Sequence, residues 1–423
     1  MRFKTLSEWL RWQESLHPEE IELGLARVGE VFARLCPESL PFTVVTVAGT
    51  NGKGSSIAAL EAMLLAGGYR VGAYTSPHLL RYNERIRLDG APVSDSALVE
   101  AFERVDQVRA DISLTYFEFG TLAALCIFAD VMPEIVLLEV GLGGRLDAVN
   151  IVDPDVALIT AIGIDHTAWL GEDRETIAGE KAGIMRPGGP VVCSDPLPPA
   201  TIVDRADKLA APLYRLGREF DYRLHGDSWD WQCTVAPQQT LVDLPRPVPG
   251  GEHQYRNLAG ALMVVSLLRE HFSLDQAKIG AGLARMVLPG RMQSIPGDPP
   301  LLLDVAHNPD GVEQLARALC TEPVAGRNWA VIGMMADKDL YGTLQPILAQ
   351  IAGWFPVALP EIPRAASAAS LAAVLGELGA TSVRPCSHMS QALEQVRAVA
   401  DPGDRIVIFG SFYTVAEALS QTL

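Results

Sequence analysis

The chain has 423 residues, 48% hydrophobic and 20% charged, enough apolar material for two or three globular domains. Its 34 Lys and Arg against 51 Asp and Glu leave a net charge of −17. That excludes duplex nucleic acid and anionic membranes as expected partners, but not a small anion held in a local positive pocket. Six cysteines lack any C-x-x-C spacing, so neither a zinc site nor a dithiol centre is indicated. A charged N-terminal stretch and the absence of a long apolar run predict a cytoplasmic protein without a membrane span.

In chain order, the run 42–47 predicts a strand. It is followed by Gly49-Thr50-Asn51-Gly52-Lys53-Gly54-Ser55 and an amphipathic stretch from Ser56. Strand, glycine-rich loop and helix in this order point backbone N–H groups and a helix N-terminus at one spot, where a phosphate chain binds. Lys53 adds a mobile charge for the terminal phosphates. The match to the usual phosphate loop is inexact: the first Gly falls on Val47, and Gly54 stands where Ser or Thr follows the Lys.

Further strands are predicted at 70–74, 134–139, 156–160 and 190–193, the alternation of an α/β protein with a mainly parallel sheet. Candidate chemistry falls at their ends. Ser76 follows the first of these strands. Glu139 closes the second and opens a glycine-rich loop to Asp147, and a carboxylate there requires a partner or a metal. Asp165 and His166 follow the third, and Lys181 precedes the fourth. The texture of 212–250 predicts an antiparallel meander and 257–270 a helix. Six Pro and Gly residues in 288–300 mark a linker at 289–296, dividing domains 1–288 and 297–423. The second domain repeats the α/β pattern with strands at 301–306, 329–333, 354–359 and 405–410. Arg291 suits bidentate phosphate contact. Asp304 suits ribose hydroxyls, although an Asp at a strand end is commonly a helix cap.

Together these segments resemble the Mur ligase superfamily and, within it, the dihydrofolate synthase/folylpolyglutamate synthase branch. The resemblance runs through Ile21-Glu22-Leu23-Gly24-Leu25, the loop at 49–54, Thr75-Ser76-Pro77-His78-Leu79 and Tyr116-Phe117-Glu118. It continues through 139–147, Asp165-His166, Glu180-Lys181-Ala182-Gly183, Pro289-Gly290-Arg291 and 304–309. The implied fold is an N-terminal P-loop-type parallel sheet with helices on both faces plus a small antiparallel sheet, then a C-terminal Rossmann-like α/β glutamate-ligase domain.

The resemblance also implies site roles. Thr50, Asn51, Gly52, Lys53, Gly54 and Ser55 cradle ATP, with Asn257, Arg291 and Asp304 as further ATP contacts. Ser76, Glu139 and His166 ligate Mg2+. Lys181 becomes a carbamate serving a second metal, and a monovalent cation is a further expectation. Ile21, Glu22, Leu23, Thr115, Tyr116, Phe117, Glu118, Asp147, Ala148 and Val149 contact the pterin. Glu22 stands where bacterial bifunctional relatives carry Asp. Lys53, Lys181 and His307 are the catalytic candidates.

The implied reaction is ATP-dependent joining of L-glutamate to dihydropteroate and to reduced folates through an acyl phosphate, by a monomer. An enzyme that only extends folates is the near alternative. A regulatory nucleotide switch is the alternative of another class; no N-K-x-D motif supports it. A dinucleotide oxidoreductase is disfavoured by glycines spaced Gly141-x-Gly143-Gly144.

Overall fold

The computed structural model describes residues 2–19, 21–36, 40–235, 238–248 and 250–422. The chain forms two compact units, one of residues up to 247 with 254–286, the other of 248–253 with 287 onward.

The first unit is built on an eight-stranded sheet. Its strands are β1 (Thr43–Ala48), β2 (Val71–Tyr74), β3 (Ile86–Leu88), β4 (Ala91–Pro92), β5 (Ile135–Glu139), β6 (Val156–Ile159), β7 (Val191–Cys193) and β8 (Leu213–Arg215). Their order is β4-β3-β2-β5-β1-β6-β7-β8. The six strands from β2 to β8 are parallel, and β3 and β4 add an antiparallel edge.

Alternate residues of these near-continuous apolar strands face opposite sides. Val44, Val136, Leu138, Ala157 and Ile159 pack with Phe102, Phe119 and Leu122 of the helices Asp95–Arg109 and Tyr116–Val131. Val45, Val47, Leu137 and Leu158 are equally buried on the other side, where the helix Lys53–Gly67 packs on β1, β2 and β5. Helices therefore cover both faces, as a buried parallel sheet requires.

From β1 the chain runs outward to β2, and after β5 it crosses to β6 on the other side of β1. The connections diverge at β1, which makes the carboxyl end of that strand the expected ligand crevice.

A separate antiparallel sheet of β9 (Phe220–His225), β10 (Ser228–Cys233) and β11 (Gln239–Pro245) forms the meander. It starts later than expected, because 213–215 joins the main sheet as β8. The helix expected at 257–270 runs Glu252–Leu267.

The second unit has β12 (Gln293–Ile295), β13 (Leu301–Asp304), β14 (Asn328–Ile332), β15 (Ile351–Pro356) and β16 (Arg405–Phe409) in the order β12-β13-β16-β14-β15. All pairings are parallel except β12 with β13. Its own core includes Leu302, Val312, Ala330, Ile332, Trp354, Val407 and Phe409. Within the span expected as a linker, 289–296, residues 293–295 form a strand paired with β13, and the compact units divide between 286 and 287. Prolines at its flanks made the segment read as a break, yet a three-residue edge strand tolerates proline neighbours.

Candidate active site

The loop after β1 is held by backbone geometry that only certain residues permit. Val47, where the usual motif has its first Gly, is buried in β1 and paired with Glu139. The turn is made instead by Gly49, where a Cβ would lie 1.8 Å from Thr160 Oγ1, and by Gly52 at φ +96, where a Cβ would lie 2.3 Å from Asn257 Oδ1. Thr160 at the end of β6 donates through Oγ1 to Asn51 O at 2.8 Å. Thr50 N donates to Ala161 O at 2.8 Å, and Thr50 Oγ1 exchanges 3.0 Å hydrogen bonds with the backbone of Gly163.

Helix Lys53–Gly67 begins directly at the loop, so its first N–H groups stand at the loop as an anion site. Lys53 Nζ folds back to donate to the carbonyls of Gly49 at 3.0 Å and Thr50 at 3.4 Å. Gly54 follows Lys53, and Ser55 is buried one position further on.

Glu139 explains the second departure from the motif. A Cβ at Gly54 would lie 3.9 Å from both Glu139 carboxylate oxygens, so the glutamate stands over the place where a loop hydroxyl is otherwise found. It also accepts from Ser76 N at 3.1 Å. Ser76 after β2, Glu139 at the end of β5, the loop after β1 and His166 after β6 therefore occupy four consecutive strand ends. His166 itself is exposed, at φ +53. Its segment is tied to the loop through Thr50 and Gly163.

Among the described residues no three His, Cys, Asp or Glu side chains cluster as a metal set. Ser76, Glu139 and His166 offer a hydroxyl, a carboxylate and an imidazole at neighbouring strand ends; oxygen donors suit a hard cation that completes its shell with phosphate oxygens and water, and an imidazole also admits manganese.

Lys181 is buried, 3% exposed. Burial pushes its amine down to about 7, with Lys53 adding to the effect. Its neighbour Glu180 pairs with Arg145, and Arg145 N donates to Glu180 O at 2.8 Å. A Cβ at Gly144 would strike this backbone at 2.7 Å. The glycine loop thus lies directly against the Lys181 segment.

Asp147 is also buried, and burial pushes its carboxyl up to about 7 against the opposing pull of backbone N–H groups and Lys53. Its oxygens accept from Leu142 N at 2.8 Å and Val149 N at 3.1 Å. They thereby shape the loop that carries the buried Ala148 and Val149.

The other expected acceptor-side residues gather nearby. Thr115 caps the helix Tyr116–Val131, and Glu118 completes the capping box. Tyr116 packs edge-on against Tyr82 at 5.7 Å with Arg85 over both rings, and Phe117 lies 5.9 Å from Tyr74. Arg85 donates to His78 Nδ1 at 2.9 Å, and burial holds that imidazole down at about 4, hence neutral.

Ile21 and Leu23 flank Glu22, whose carboxylate is ion-paired with Arg27 and lies 3.1 Å from His17 Nε2. Gly24 N donates to Leu146 O at 3.2 Å, joining this segment to the Asp147 loop. Thr160, Arg27 and His17 escaped the sequence reading. Thr160 looked like an ordinary strand residue, and Arg27 joins Glu22 to a partner 91 positions away.

In the second unit, Asp304 is buried and its oxygens accept from Met292 N and Ala306 N, both at 2.8 Å. Burial raises its pKa, with Arg291 opposing. Arg291 lies over the Phe412 ring at 5.0 Å, and His307 Nδ1 is 2.9 Å from Val305 O. The helix cap expected of an Asp at this strand end is supplied by Asn308, ahead of Pro309.

Comparison with known proteins gives a consistent picture. The profile of the Mur ligase, glutamate ligase domain matches residues 290–412. A dihydrofolate synthase/folylpolyglutamate synthase of Escherichia coli (strain K12) is 43% identical over 416 residues, covering 98% of this chain and 94% of that protein. The structure of E. coli FolC in complex with DHPP and ADP superposes with a TM-score of 0.92 at 42% identity, covering 99% of this chain and 98% of that one. A bifunctional folylpolyglutamate synthase/dihydrofolate synthase with Mn, AMPPNP and L-glutamate bound gives 0.90 at 44% identity, with coverage of 99% and 98%.

Proposed function

The chain belongs to the dihydrofolate synthase/folylpolyglutamate synthase family of Mur-type ligases, and from that premise we propose that it joins L-glutamate to dihydropteroate and to reduced folates at the expense of ATP. The observation that carries this reading is the seating of Glu139 over Gly54 beside Lys53. Its carboxylate stands in for the hydroxyl that this variant loop lacks after Lys53.

A carboxylate is a poor acyl donor because oxide is a poor leaving group. Its oxygen attacks the γ-phosphorus of ATP, ADP departs, and the acyl phosphate carries a group that leaves readily. The amine of L-glutamate then attacks the carbonyl carbon. Phosphate departs with the attacking oxygen and the nitrogen loses its proton, giving the amide. The protein's main service is to position the groups and to offset charge on the transferring phosphoryl. The loop amides and Lys53 provide this. A divalent ion held by Ser76, Glu139 and His166 would neutralise phosphate charge alongside them; Mg2+ is our assignment.

Lys181, buried and inclined to be neutral, suits reaction of its free amine with CO2. The resulting carbamate would be an acidic ligand for a second metal. Arg291 and Asp304 are assigned to the nucleotide, Asp304 chiefly by holding the 290–292 turn. Residues 21–23, 115–118 and 147–149 are assigned to the acceptor. The carboxylate of Glu22 is spent on Arg27 and His17, so we assign the acceptor contact there to the segment rather than to that side chain. His307 is a weaker base candidate, since its Nδ1 already faces a backbone carbonyl.

We further propose a monomer acting in the cytoplasm on small molecules, without nucleic acid. Among the described residues no helix is long and apolar enough to cross a membrane. The test is ADP release with dihydropteroate and L-glutamate together against either omitted. Release should need both, and 5,6,7,8-tetrahydrofolate should replace dihydropteroate. ADP release indifferent to glutamate would point instead to a nucleotide switch, and turnover with folates alone would restrict the enzyme to chain extension.

A further inference from the structure

Arg27 lies on no loop assigned to ATP, metal or acceptor, yet it touches two of the three acceptor segments at once. It is the second residue of the helix Ala26–Leu35. Its guanidinium pairs with the Glu22 carboxylate, and Nη2 donates to Glu22 O at 3.1 Å and to Glu118 Oε1 at 3.1 Å. Glu118 is buried, 3% exposed, and its other oxygen accepts from Thr115 N at 2.7 Å. The guanidinium is therefore fixed on one side to a rigid helix start. On the other side it grips the irregular stretch 21–25, which the described helices and strands leave without ladder partners.

His17 steadies Glu22 from behind. Its Nε2 is 3.1 Å from Glu22 Oε2, while Nδ1 lies 3.1 Å from Glu19 O and 3.2 Å from Glu19 N. The hydrogen bond from Gly24 N to Leu146 O then carries the same stretch to the Asp147 loop.

We propose that Arg27 is a positioning residue for the pterin-bearing acceptor, a two-sided clamp that locks 21–23 against 115–118. The proposal rests on the assignment of those segments to the acceptor. A planar fork can serve two carboxylates and a carbonyl together, whereas an ammonium of equal charge cannot hold that geometry. The clamp acts on acceptor binding and leaves the phosphate loop, more than twenty residues on along the chain, to its own contacts.

The experiment measures KM separately for dihydropteroate, ATP and L-glutamate, with melting temperature, in Arg27→Lys, Arg27→Ala and Ile21→Ala. Arg27→Lys is expected to raise the acceptor KM about tenfold, and Arg27→Ala further, with ATP and glutamate KM within about twofold of the parent. Should Arg27→Ala not fold, Arg27→Lys alone decides. A folded Arg27→Lys with an unchanged acceptor KM overturns the clamp. If Ile21→Ala still raises that KM, the acceptor assignment stands without the clamp. If it too is silent, the assignment fails and takes the clamp with it. Equal changes in all three KM values would mark Arg27 as structural only and likewise overturn the proposal.

Discussion

Lys53 and Lys181 make opposite use of a positive charge, and each carries a prediction. Lys53 is partly exposed and rests on carbonyls of its own loop. Lys53→Ala should abolish ADP formation yet change the unfolding free energy by less than ~1 kcal/mol, as a surface substitution does. Retained turnover would remove it from the reaction. Lys181 is instead pushed down to about 7 from an ordinary 10.5. Between those values the unfolded chain binds more protons than the folded one, so stability rises with pH through that window. In metal- and CO2-free buffer, the stability of the parent relative to Lys181→Met should grow from about pH 7.5 to 9.5. A flat difference would contradict the burial argument. Asp147 titrates with the opposite sign: raised from 3.8 to about 7, it loses its contribution as pH rises between those values, ahead of that window, and does not mask the effect. The strand-end positions of Lys53, Ser76, Glu139 and His166 were legible from local order, because each follows or closes an apolar run. Thr160 and Arg27 were not, since their roles depend on contacts between distant segments.

At the scale of elements, runs of β-branched and aliphatic residues marked the central strands to within a residue or two: 42–47 became Thr43–Ala48 and 134–139 became Ile135–Glu139. Short edge pieces were missed. β3, β4 and β12 are two or three residues long and flanked by turn formers, too short for a period of two to register. Helix packing was equally hidden. Gly282, on the helix Gln276–Arg285, sits so close to the helix behind the phosphate loop that a Cβ would lie 2.6 Å from both Ala62 O and Met63 Cα. Both obstacles are backbone and cannot swing aside. Gly282→Val should therefore cost about 1–3 kcal/mol through overpacking, read as a lower urea midpoint with unchanged slope. An unaltered midpoint would mean the helices separate freely.

For the whole molecule, each unit has its own sheet and core. The phosphate loop belongs to the first unit, while the matched glutamate-ligase profile lies in the second. The order of motifs led to an expected division near 288; the return of 248–253 to the second unit did not follow from it, although Pro245, Pro247, Pro249, Gly250 and Gly251 cluster there, because the helix after them continues the first unit. The account's central claim is that the acceptor carboxylate is activated as an acyl phosphate. Supplying dihydropteroate labelled with 18O in both carboxylate oxygens, with unlabelled ATP, L-glutamate and water, tests it directly. One labelled oxygen should appear in inorganic phosphate for each amide formed. Phosphate free of label, with amide still produced, would contradict the account.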